Sequence, residues 1–63
     1  MDKTMLTQTL TMVRDHLKAS GLRVRNGETL SKHDQKVDFI ASEVEGALTK
    51  LLTLHIEKES KNG

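Results

Sequence analysis

Sixty-three residues without a cysteine exclude a disulfide framework and a thiolate zinc site. A chain this short buries too little apolar surface to be comfortably stable without a second copy or a larger partner to dock on. The formal net charge of +1 does not point to nucleic acid, and one Phe with no Trp, Tyr or Pro argues against an all-β domain and against a base-stacking platform.

The charge is unevenly spread. Residues 1–25 carry Lys3, Arg14, Lys18, Arg23 and Arg25 against Asp2 and Asp15, a local +3, whereas residues 26–63 hold five lysines against seven carboxylates, a local −2. Opposite-signed halves favour a chain folded back on itself or stacked on a copy. The start is polar from Asp2 to Thr4, so no secretory signal is expected there. Every turn of the second half carries a charge or hydroxyl, so no membrane span is expected and a cytoplasmic location is.

Asp2 or Thr4 can cap a first helix over about 4–20, with Gly21 placed to end it in a left-handed conformation. Leu6, Leu10, Val13 and Leu17 follow the 4-3-4 spacing of a seam that packs on another helix. Met5, Met12 and Ala19, each seven apart, form a second apolar line round the same helix and are candidates for a further contact. Residues 21–31 read as a connector in which Asn26-Gly27 is a tight-turn signal. Leu22, Val24 and Leu30 are expected to plug the end of the helix pair from an ordered loop, with a very short β-hairpin over 22–30 as the alternative.

Ser31 followed by Asp34 resembles a capping box and starts a second helix over about 32–57, with a frayed tail over 58–63. From Val37 to Ile56 this helix carries an apolar arc of Val37, Ile40, Ala41, Val44, Ala47, Leu48, Leu51, Leu52, Leu54 and His55. The fold expected is all-α: a two-helix antiparallel hairpin with an ordered connector, dimerising into a four-helix bundle. The second helix is the longer one, so its end at Leu51–Ile56 should overhang, and a second copy is expected to cover Leu48, Leu51, Leu52, His55 and Ile56.

Catalytic chemistry has no foothold in this sequence. It contains neither a glycine-rich phosphate loop nor a nucleophile elbow, and a helical hairpin has little volume for a substrate pocket, so no enzyme and no cofactor are expected. His55 and Glu59 are the only histidine-containing pair at helical spacing, too few ligands for a metal. Phe39, the one aromatic residue, projects about 140° from the centre of the arc and is a candidate anchor for a protein partner, together with Met5, Met12, Arg23 and Arg25. The function expected is that of a non-enzymatic, protein-binding regulator or inhibitor, of the kind found among accessory proteins of phages and mobile elements. The alternative is a nucleic-acid-binding dimer with a basic edge of Arg14, Lys18, Arg23 and Arg25, although the connector is too long for a helix-turn-helix.

In length and plan the chain resembles the Rop family, helical hairpins that dimerise into a four-helix bundle and bind paired RNA loops. The likeness is one of architecture, and none of that family's RNA-contacting motif aligns. A helix ending in Gly21-Leu22, followed by Phe39-Ile40-Ala41 and Leu51-Leu52, is also similar to the N-terminal helical arm of GTP cyclohydrolase I, without the catalytic barrel or its zinc ligands. Neither resemblance transfers a site to this chain.

Overall fold

In a computed structural model that describes residues 2–62, with side chains to residue 60, the chain forms two helices, α1 (Lys3–Arg25) and α2 (Lys32–Asn62), packed as an antiparallel hairpin. The described residues contain no strand, so the short β-hairpin considered for 22–30 does not form. None of the described helices is long and apolar enough to cross a membrane. The particle measures 49 × 18 × 14 Å, about the length of α2 alone at 1.5 Å per residue.

The first helix starts where expected and ends later. Asp2 is the N-cap, its carboxylate accepting from the Met5 amide at 2.8 Å. Gly21 does not end the helix: it lies within α1, and the positive φ belongs to Gly27, at 90°. Here the Gly27 amide donates to the Val24 carbonyl and the Glu28 amide to the Arg23 carbonyl, both at 3.0 Å. These are the paired bonds of a Schellman stop, so Asn26-Gly27 terminates a helix rather than turning a hairpin. Leu22 and Val24 are consequently helical and exposed, and they plug nothing.

Ser31 caps α2 as expected, its hydroxyl accepting from the Asp34 amide at 3.1 Å. The tail expected to fray from residue 58 is helical through Asn62, and Gly63 lies outside the described residues. Glu59 is held by Lys3 at 2.9 Å, within a run of residues that favour helix. That ion pair also removes the expected overhang. The start of α1 is level with Glu59, so Leu51–Ile56 lies alongside α1 rather than beyond it.

The core is small and lies towards the open end of the hairpin. Leu6 (1% exposed), Leu10 and Leu48 (7%) are buried together, with Val13 and Leu52 packed against them. Towards the connector the interface turns polar. Ser20, buried, donates its hydroxyl to Asp38 Oδ1 at 3.0 Å, and His16 Nε2 meets the same oxygen at 3.0 Å. Between the two, Arg14 reaches Glu45 Oε1 at 3.6 Å and donates to the Thr49 hydroxyl at 3.3 Å.

Candidate functional site

The arc read from the sequence of α2 divides into two seams with different fates. Asp34, Asp38, Ala41, Glu45, Leu48, Leu52 and His55, alternately four and three apart, are with Thr49 the positions of α2 that are buried or half-buried, and this is the line that faces α1. Val37, Ile40, Val44, Ala47, Leu51 and Leu54, alternately three and four apart, lie about 100° round the helix and are all exposed, Ile40 at 61% and Leu54 at 59%. The second seam contains no polar residue, while four of the seven residues facing α1 are charged or histidine.

The exposed lines of the two helices share one flank of the hairpin, as the polar contacts show. On α1, Arg14 lies about 140–200° from Met5, Met12 and Ala19, and on α2 Thr49 lies about 140–200° from Ile40, Val44, Ala47, Leu51 and Leu54, at 100° per residue. Arg14 and Thr49 touch, so they occupy one flank, and both apolar lines fall on the other. The two apolar lines therefore face one flank, with Thr9 and His16 between them on α1, and Met12 is 72% exposed. Exposed apolar residues gathered on one flank mark a surface suited to a further contact.

Of the residues expected to cover one another in a dimer, Leu48 is buried inside the hairpin and Leu52 and His55 are half-buried in the seam facing α1. Only Leu51 lies on the open apolar flank. Ile56, although half exposed, is two residues from Leu54 and therefore about 200° away on the opposite flank. Phe39 is 67% exposed and borders a shallow groove with Lys32, Gln35, Lys36 and Ile40. Met5 and Met12 are exposed on the apolar flank.

The basic edge is partly neutralised. Arg23 donates from Nε to Glu28 at 2.7 Å and lies 3.8 Å from Asp34. The hydrogen bond to Glu28, with the nearby carboxylates, holds its guanidinium above the ordinary arginine value. Arg14 is paired with Glu45, which leaves Lys18 and Arg25 beside Gly21 and Leu22 in a shallow surface dip. Among the described residues no three His, Asp or Glu side chains gather as a metal site would require.

One feature escaped the sequence reading. The Ser20–Asp38–His16 cluster was hidden because Asp38 reads as an ordinary charge on a solvated face. The signal that finds it is the 4-3 spacing from Asp34 through His55, a second and more polar heptad line beside the apolar one. Comparison with known proteins finds no matching family model, no matching curated protein and no matching solved structure.

Proposed function

We propose that this chain is a non-enzymatic, protein-binding regulator or inhibitor that self-associates through its apolar flank and engages its target through the surface around Phe39. One observation carries the reading: the most apolar seam of the molecule, Val37 to Leu54, is turned away from the hairpin's own partner helix and lies exposed beside Met5 and Met12. Fully burying a Leu, Ile or Met side chain is worth about 1.5–3 kcal/mol, so covering this flank is comparable with the whole stability of a small domain. Covering it in a four-helix bundle takes up Ile40 at one edge of the groove but leaves Phe39 itself, with Lys32 and Gln35, outside the covered seam, since on the helix Phe39 is about 120° from Leu51.

The nucleic-acid reading draws less support, because Arg14 and Arg23, two of its four cations, already hold carboxylates. The test is a comparison of the wild-type chain with Phe39→Ala as bait in its native cell. Phe39→Ala is expected to melt within about 0.5 kcal/mol of wild type, as a surface substitution does, and to lose the captured protein. Retention of the same protein by both baits overturns the assignment of Phe39 as the anchor.

A further inference from the structure

We infer that the occupant of the apolar flank is a second copy of this chain, docked so that α2 lies antiparallel against α2 of the other copy across a two-fold axis between Val44 and Ala47. The inference deepens the self-association reading above and rests on it. Three features of α2 select this arrangement.

The first is spacing. Val37, Ile40, Val44, Ala47, Leu51 and Leu54 are separated by three, four, three, four and three residues, a series that reads the same in both directions. A two-fold axis at its midpoint sets Val37 beside Leu54 of the second copy, Ile40 beside its Leu51 and Val44 beside its Ala47. Each layer thus pairs two apolar residues, as an isologous interface requires. Met12 on α1 belongs to the same flank, near the level of Arg14 and Glu45, so it stands close to that axis.

The second feature is charge. Along the outer edge of the seam, seven apart, run Lys36, Glu43, Lys50 and Glu57, all exposed and none in an ion pair among the described residues. Antiparallel helices bring like edges together, so Lys36 faces Glu57 of the second copy and Glu43 faces its Lys50. The two-fold axis repeats both contacts, and all of them join opposite charges. A parallel pairing would instead set this edge against Ala41, Leu48 and His55, where it has no charge complement.

The third feature is area. The seam from Val37 to Leu54 is about 26 Å long at 1.5 Å per residue, on a particle 18 Å wide. It therefore offers on the order of 500 Å² per copy, and about 1,000 Å² over two copies meets the lower bound of a specific interface.

Two charge-neutral double variants test the arrangement. Glu43→Lys with Lys50→Glu exchanges the members of one pair and keeps every cross-helix contact attractive. Lys36→Glu with Glu43→Lys keeps the same net charge but sets like charges against each other in every pair. Circular dichroism checks that both remain helical, and sedimentation equilibrium at low salt measures their association. The first variant is expected to dimerise within about threefold of wild type and the second roughly 10- to 100-fold more weakly, with the gap closing at high salt. Equal behaviour of the two variants beside a dimeric wild type overturns the antiparallel pairing while self-association stands. A wild type that stays monomeric and helical at high micromolar concentration overturns self-association itself.

Discussion

The two seams of α2 run side by side for most of its length and make opposite use of the same helix. The seam that packs on α1 mixes Asp34, Asp38, Glu45 and His55 with Ala41, Leu48 and Leu52, and the more exposed seam is built only of Val, Ile, Ala and Leu. The face on which this hairpin closes is therefore not the more apolar of the two. Alongside the leucine cluster, that face finds complementary groups on α1: Ser20 and His16 for Asp38, Arg14 for Glu45 and Thr49, and Lys3 for Glu59. Leu6, Leu10 and Leu48 form the buried core. The polar contacts set register, and the apolar seam remains for an intermolecular contact.

Breaking the packed seam at its apolar end has the largest expected effect. Leu6→Ala removes the most completely buried side chain and is expected to cost about 2–5 kcal/mol, enough to unfold a hairpin of this size in a thermal melt followed by circular dichroism. The polar end is next. Asp38→Ala leaves the buried Ser20 hydroxyl without its acceptor, with an expected loss of about 1–3 kcal/mol. Adding Ser20→Ala to Asp38→Leu removes both polar groups and should return most of that loss in urea titration. A double variant no more stable than Asp38→Ala would mean that the pair does more than satisfy itself.

Smaller effects sharpen the contrast between packed and exposed regions. Gly27→Ala forces a side chain into a φ of 90° at the end of α1 and is expected to cost about 1–2 kcal/mol, visible as a lowered melting midpoint. Lys3→Ala removes an ion pair whose side chains are half exposed, and its expected effect is under about 0.5 kcal/mol. A larger loss would show that the Lys3–Glu59 contact, rather than the leucine cluster, holds the open end of the hairpin together.

Much of this fold was legible in the sequence because its signals are local. Asp2 and Ser31 cap as their positions suggest, and the Leu6–Leu10–Val13–Leu17 spacing marks the packed stripe of α1. The end of α1 was misplaced because Gly21 and Gly27 compete for one role. A helix can carry Gly21 at about 1 kcal/mol relative to Ala, and the Schellman bonds at Asn26-Gly27 set the stop that the chain uses. The orientation of α2 was the harder problem. A broad apolar arc shows that a face is buried against something, but not which edge belongs to the hairpin and which to another molecule. That division depends on Asp38, Glu45 and Thr49 finding partners more than twenty positions away in most cases, as Arg14 and Thr49 do across 35.

The most direct test of two seams with two destinations is the molar mass of the chain in solution beside that of a variant carrying Ile40→Asp and Leu51→Asp. Wild type is expected at twice 7.1 kDa at micromolar concentrations, and the variant at 7.1 kDa with its helical spectrum retained, because the altered side chains lie on the open seam. Equal masses for the two proteins at full helicity would contradict the account, as would loss of the hairpin in the variant under conditions where wild type is a monomer.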